Sequence, residues 1–474
     1  MPFGAGANGF SVDRRRNDFG ADPRGNSMVG FGSSGIRGVV NEELTPQVVT
    51  EIAAAAGHTL AAERVAIGRD TRTSGTMLAN AASAGFTAVG AAVDRLGSIP
   101  TPGLQAYCRR HRTFGCMVTG SHNPPRYNGI KLFDRDGIEV TGGTLETVET
   151  TLETGRYTPA GWRDIGAEHE INDACDRYVD EILQAVDRVN GLTVAVDPGH
   201  GPGGFVTPKL CRALGCSVTT INDEPDGTFP ARSPEPRPAA LSDLSRLVRA
   251  ATADLGIAHD GDADRVVFVD ETGVVVDGNE LFAALAAERV TPGDVVVTAV
   301  NASTVLAEVV DDRGGHLDLT PIGSANIVAR IRERHAAGDE VVLAGEANGG
   351  IFFPNERLAR DGPFVAARML ATVAETPLST MVAPYDVSMV RRRIEYGATA
   401  SRDRIMDVIR SYACERDRPV DETDGIRIER ADGWVLARPS GTEPIIRVVT
   451  EADDEETATC YADEIIDLVE RELR

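Results

Sequence analysis

The chain has 474 residues, too many for one ordinary core of about 100–200 residues, so several domains are expected. With 42% apolar and 25% charged residues it has a globular composition, which excludes a disordered or fibrous chain. Asp and Glu number 72 against 48 Lys and Arg, a formal charge of -24, and so acidic a surface repels a phosphate backbone and argues against nucleic-acid binding.

Of the basic residues only Lys131 and Lys209 are lysines. The carboxylates are spread along the chain, as on a globular surface kept soluble in concentrated salt, so a salt-adapted source is expected. Cysteines at 108, 116, 175, 211, 216, 414 and 460 form no CxxC pair, which leaves no zinc ribbon and points to small buried apolar residues. No stretch nears 18 consecutive apolar residues and the first thirty lack a signal-peptide core, so a cytoplasmic protein without a membrane or obligate protein partner is expected.

In chain order, residues 1–27 are rich in Gly, Asn, Asp and Arg without periodicity and read as a disordered tail, with order beginning near Met28. A strand, a polar loop and a helix-like stretch then recur three times, the strands being 64–68, 192–196 and 294–298. Such alternation predicts three related α/β domains with mixed, largely parallel sheets. Polar and Gly- or Pro-bearing stretches suggest domains at 28–165, 166–275 and 276–382. The remainder, 383–474, differs: a strand from 387, a helix over 402–416, strands at 425–429, 434–437 and 445–451, and a last helix over 455–474 predict an α+β domain.

Four segments carry chemistry. Residues 117–131 place Ser121 just past an apolar strand, in a loop shaped by Gly120, Pro124 and Pro125, at the strand end where α/β sheets bind ligands. Beside it His122, taken alone, reads as a hydrogen-bonding residue, held in reserve as a proton acceptor. In residues 259–265 Asp260, Asp262 and Asp264 alternate, and three mutually repelling carboxylates are best explained by a hard cation, magnesium before calcium. An EF-hand loop would put Glu271 at its twelfth position, but Arg265 stands where the turn needs Gly and a strand follows at 266–269. After the apolar run 341–344, Glu346 and Asn348 could hold two sugar hydroxyls. Finally Arg438, Ser440, Gly441 and Thr442 form either an anion-gripping nest or a plain hairpin loop.

Together with Phe31-Gly-Ser-Ser-Gly-Ile-Arg-Gly38, Gly68-Arg-Asp-Thr-Arg72, Pro100-Thr-Pro102 and Pro234-Glu-Pro236, these segments resemble the α-D-phosphohexomutases, which include phosphoglucomutases, phosphomannomutases and phosphoglucosamine mutases. The resemblance covers all but the first 27 residues. It implies four domains around a central cleft, a phosphoserine at Ser121, and one Mg²⁺ held by that phosphate with Asp260, Asp262 and Asp264. It further implies a phosphosugar substrate and a hexose 1,6-bisphosphate intermediate that also serves as activator. By matching positions, Arg37 and Arg265 would stabilise the transferring phosphoryl group, and Lys131 would assist proton transfer with a pKa lowered by these neighbours. Glu346 and Asn348 would orient the sugar, and Arg438, Ser440, Thr442 and Arg447 would clamp the idle phosphate. Asn348 stands where many members have Ser, and Gly350 where several bacterial members have His. The wording Thr119-Gly-Ser-His-Asn-Pro-Pro125 leans toward the phosphomannomutase and phosphoglucomutase branch, with phosphoglucosamine mutase as the alternative.

Two other classes compete. Gly199-His-Gly-Pro-Gly-Gly204 satisfies the dinucleotide fingerprint after a strand, with Asp223 and Glu224 as ribose contacts, but Asp197 and Pro198 intervene and Pro202 removes an amide donor. Gly4-x-Gly-x-x-Gly9 has no strand before it. Neither lysine sits in a Walker motif. A non-catalytic sugar-phosphate binder would use the same four loops.

Overall fold

The computed structural model describes residues 35–189, 191–396, 402–414, 418–440 and 445–473. The expected tail, and Gly441 and Thr442, lie outside the described residues.

Four sheets follow one another along the chain. The first contains β1 (Ile36–Val39), β2 (Arg64–Arg69), β3 (Ala92–Ser98), β4 (Phe114–Val118), β5 (Tyr127–Phe133) and β6 (Glu168–Glu170), in the order β1-β5-β4-β2-β3-β6. The second, β10-β9-β7-β8, is built from β7 (Thr193–Asp197), β8 (Ser217–Thr220), β9 (Leu255–His259) and β10 (Val266–Val269). The third, β12-β11-β13-β14, uses β11 (Val295–Ala299), β12 (His316–Thr320), β13 (Val341–Glu346) and β14 (Gly350–Phe352). The fourth is antiparallel throughout, joining β15 (Ser388–Glu395), β16 (Val420–Asp421), β17 (Ile426–Arg430), β18 (Gly433–Pro439) and β19 (Ile445–Ala452) in the order β15-β19-β18-β17-β16.

The central strands of the first three sheets are apolar, buried and parallel, as their continuous Val, Ile and Ala content dictates for strands covered by helices on both faces. Each of these sheets then turns back once: β4 to β5, β9 to β10 and β13 to β14 are antiparallel hairpins. Their tips are residues 119–126, 260–265 and 347–349, the three expected active segments. A hairpin tip at the end of a buried strand combines an exposed loop with a rigid base.

The first sheet runs past the expected boundary at residue 165. Glu168–Glu170 adds beside β3 as a short, exposed edge strand, too polar to stand out by its pattern. The second and third sheets share one continuous core, which includes Val194, Leu255, Val296, Leu343 and Phe364, while the fourth has its own around Ile409, Val435 and Ile465. Cys108, Cys116, Cys211 and Cys216 are buried as expected; Cys175 is half-buried, and Cys414 and Cys460 are exposed, on helices of the fourth unit. Among the described residues no helix is long and apolar enough to cross a membrane.

Candidate active site

The serine loop is held from behind by a buried ion pair. Asp70, just past β2, accepts from Arg72 Nε at 3.0 Å and from the hydroxyl of Thr119 at 2.7 Å. The same guanidinium donates to the carbonyls of Ser121 (2.8 Å), Asn123 (2.6 Å), Pro124 (2.7 Å) and Tyr127 (2.9 Å). Gly120 must be glycine because a Cβ there would lie 2.6 Å from the Arg72 guanidinium carbon. Ser121 itself is left-handed, with φ 49°, a conformation that costs about 1–3 kcal/mol in a non-glycine residue and so needs such a clamp. Its amide donates to Thr119 Oγ1 at 2.8 Å, and its hydroxyl donates to Asp260 Oδ2 at 3.0 Å.

The aspartate loop is gripped as firmly. The ring of buried His259 reaches the carbonyl of Arg265 (2.9 Å) and the hydroxyl of Thr207 (2.8 Å), and burial first, with Arg232 also contributing, pushes its pKa down to about 4, so it is neutral. Arg232, buried on Asp197, donates to the His259 carbonyl at 2.7 Å. Asp260, Asp262 and Asp264 are all buried, and each offers an oxygen within 4.8 Å of the others. Thr101 donates to Asp262 twice, amide to carbonyl at 3.0 Å and hydroxyl to Oδ2 at 2.7 Å. Lys131 Nζ lies 2.9 Å from Asp262 Oδ2 and 3.3 Å from Asp264 Oδ2.

Among the described residues, these bonds leave Asp262 Oδ1 and Asp264 Oδ1 buried without a hydrogen-bond partner. Unpaired carboxylate oxygens are costly to bury, so the set fits a divalent cation with oxygen ligands. Burial and the neighbouring Asp262 and Asp264 raise the Asp260 carboxyl well above the usual range. For Asp262 burial pulls upward, but Lys131 and Thr101 prevail and hold it low. Glu271, the twelfth residue of a would-be calcium loop, is instead engaged by the hydroxyl and, at 3.3 Å, the amide of Ser379.

Facing this group are cationic donors. Arg265 Nε is 3.9 Å from Asp264 Oδ1, and Arg37 donates to Asn123 Oδ1 at 2.9 Å; among the described residues the Nε of each is buried without a hydrogen-bond acceptor, as suits an incoming anion. Burial, then Arg265 and Arg37, push His122 down to about 2, so its imidazole is held neutral. The expected lowering at Lys131 is reversed. Burial does pull its pKa down, but Asp262 and Asp264 outweigh burial and the nearby Arg360 and Arg37, and the ammonium is held above its ordinary value.

Glu346 ends β13, and Asn348 Nδ2 donates to its Oε2 at 3.4 Å while Asn348 Oδ1 accepts from the Gly350 amide at 3.1 Å. In the fourth sheet Arg438 and Arg447 are directly opposite on β18 and β19, and Arg393 of β15 extends the row beyond Arg447. Like charges so placed repel, which suits an anion. Arg438 is braced by Asp424 at 2.8 Å, whose other oxygen takes the Ile322 amide at 2.9 Å and ties the third unit to the fourth. Ser440 is buried at the entrance of its loop.

The glycines at 199–204 serve packing. Gly199 lies against the Arg232 guanidinium, which a Cβ would approach to 2.5 Å, and Gly203 lies against His259. Residue reading passed over Arg72, Thr101 and Arg360; the first two stood inside quoted motifs, Gly68–Arg72 and Pro100–Pro102, which was the available signal.

Models of the four phosphoglucomutase/phosphomannomutase domains match the chain in order: α/β/α domain I at residues 28–158, domain II at 176–273, domain III at 277–387 and the C-terminal domain at 389–468. A probable phosphoglucosamine mutase of Methanopyrus kandleri is 41% identical over 93% of this chain and 98% of its own. A phosphoglucomutase/phosphomannomutase of Thermococcus kodakarensis is 36% identical over 94% and 99%. Among solved structures, a phosphoglucomutase/phosphomannomutase family protein of Burkholderia thailandensis superposes with a TM-score of 0.82 at 27% identity, covering 94% of this chain and 98% of that one. With four domains matched in order and relatives similar over almost its whole length, the chain belongs to the phosphoglucomutase/phosphomannomutase family of α-D-phosphohexomutases and is a mutase, an isomerase.

Proposed function

We propose that this mutase interconverts the 1- and 6-phosphates of glucosamine through a phosphoserine at Ser121, with one Mg²⁺ at Asp260, Asp262 and Asp264 and a hexose 1,6-bisphosphate as intermediate and activator. The observation that carries the chemistry is the Ser121 hydroxyl 3.0 Å from Asp260, beside two unpartnered carboxylate oxygens. The ion, when bound, neutralises charge on the phosphoryl group. A sugar hydroxyl attacks phosphorus, the bond to Ser121 Oγ breaks, and the hydroxyl proton ends on Ser121 Oγ; the bisphosphate then turns over in the cleft, and Ser121 Oγ attacks its other phosphate in the same way, the proton passing back to the sugar oxygen. Arg37 and Arg265 receive the phosphoryl oxygens, Lys131 holds the carboxylates, Glu346 and Asn348 meet the sugar, and Arg438, Ser440, Thr442 and Arg447 clamp the idle phosphate. The domain division at 165, 275 and 382 belongs to the same reading, with the exception of β6.

The lean toward mannose and glucose gives way here, because several similar relatives bear the name probable phosphoglucosamine mutase, although that of Thermococcus kodakarensis is named phosphoglucomutase/phosphomannomutase. Initial rates on glucosamine, glucose and mannose 1-phosphates, each with a trace of the matching bisphosphate, test the sugar; a faster glucose or mannose reaction restores the other branch. For the carrier, intact mass should show one covalent phosphate in the wild type and none in Ser121→Ala, with activity lost and folding kept. Substantial turnover by Ser121→Ala would sink the phosphoserine.

A further inference from the structure

Arg360 links two of the loops described above. It stands in the short segment between β14 and the helix Gly362–Val373, and this segment is fixed at both ends. Arg357 pairs with Asp361 at 3.1 Å and with Glu181 at 3.3 Å. Asp361 in turn caps the helix by accepting from the Phe364 amide at 2.9 Å, and it accepts from the buried hydroxyl of Tyr178. The Arg360 backbone therefore has little freedom.

From this base the side chain crosses Gly350 and ends on the metal loop. A Cβ built on Gly350 would lie 2.6 Å from Arg360 Cδ, so glycine at 350 is what lets the stem pass. Nη2 donates to Asp264 Oδ2 at 2.6 Å. That oxygen is also 3.3 Å from Lys131, so both cations bind the same side of the carboxylate, and among the described residues Oδ1 is left without a hydrogen bond, with Arg265 Nε no nearer than 3.9 Å. Burial alone would weaken the positive charge, but Asp264 first, then Glu346, Glu139 and Asp262, keep the guanidinium firmly protonated.

We propose that Arg360 is a positioning residue of the phosphoryl-transfer centre, which turns Asp264 Oδ1 toward the cation and ties that carboxylate to the sugar loop through its passage over Gly350. The proposal rests on the mutase reading above and on a divalent ion at the three aspartates. A planar, always-charged fork on a fixed stem suits this task better than a mobile ammonium. The competing role is that of a counter-ion which merely balances an acidic pocket. The two roles differ in sign. Removing a counter-ion leaves the carboxylates less neutralised and tightens binding of a divalent ion. Removing a positioning bond lets Asp264 turn and weakens binding, typically by about 10–100-fold for such outer partners of a metal site.

Mn²⁺ titration followed by electron paramagnetic resonance, on the full chain, reads this without turnover. Arg360→Gln should bind Mn²⁺ at least about tenfold more weakly than wild type, and Arg360→Lys should recover only part of the loss. Gly350→Ala changes no charge but pushes the stem aside; it should weaken Mn²⁺ in the same direction and raise KM for the hexose 1-phosphate. Equal or tighter Mn²⁺ binding by folded Arg360→Gln overturns the proposal. Should that variant fail to fold, wild-type Mn²⁺ affinity in Gly350→Ala overturns it. Asp262→Asn separates the two levels: a wild type with no Mn²⁺ site that this change abolishes defeats the metal reading and the inference together, whereas an intact site indifferent to Arg360 defeats the inference alone.

Discussion

Lys131 occupies a slot built for an ammonium. It is buried between Asp262 and Asp264, and its raised pKa makes it a fixed charge at neutral pH, one that holds two of the three clustered carboxylates in place. Arginine serves at almost every other basic position of this chain, but a guanidinium is wider and would displace the carboxylates it meets. Lys131→Arg should lower kcat about tenfold, or roughly 1.4 kcal/mol in the barrier. Lys209, by contrast, is exposed and paired with Asp176 at 2.6 Å, and Lys209→Arg should change nothing. Steady-state rates for the two variants decide the matter; equal, negligible effects would remove Lys131 from the mechanism.

At the scale of the element, the hairpin β4–β5 depends on one ion pair. Arg72 has its whole side chain buried, and with Asp70 it satisfies four carbonyls of the serine loop and keeps Ser121 left-handed. Arg72→Ala strands a buried carboxylate and those carbonyls, a loss of about 3–5 kcal/mol for breaking a buried pair. Urea unfolding should show a lower midpoint, the shift multiplied by the slope m matching that loss. Arg72→Lys keeps the charge but lacks the fork, and should retain most of the stability while carrying less phosphate on Ser121. Normal phosphorylation in Arg72→Lys would mean that the loop shapes itself. A similar device braces β9–β10, where buried Arg232, paired with Asp197, donates to the His259 carbonyl.

At the scale of the whole molecule, the second and third units share a core and the fourth docks on the third through a small patch. Trp434 is buried there with Val300 and Leu436, and Glu451 accepts from the Trp434 indole at 2.9 Å, the Ser303 hydroxyl at 2.9 Å and the Thr304 amide at 3.0 Å. Over all of this lies a charge of -24. Self-repulsion of that size is long-ranged in dilute salt and is screened as the Debye length falls from about 10 Å at 0.1 M to about 3 Å at 1 M. The melting temperature should therefore rise by several degrees between these KCl concentrations, as salt adaptation requires; a flat or falling curve would remove that reading.

Chemistry that depends on residues adjacent in the chain was legible without coordinates. The alternating Asp260, Asp262 and Asp264, Ser121 past its strand, and the repeated buried strands each follow from local spacing, because a hairpin tip keeps its few residues together however the rest folds. What the chain order could not reveal is which distant groups meet. Thr101, marked only by its place in Pro100–Pro102, reaches Asp262 across 161 residues, and Arg360, with no local pattern to mark it, reaches Asp264 across 96. The sign of the Lys131 shift was missed for the same reason: the motif shows a lysine near arginines, but only the packing of the first sheet against the second sets two carboxylates at its ammonium, and at these distances the nearest charges decide.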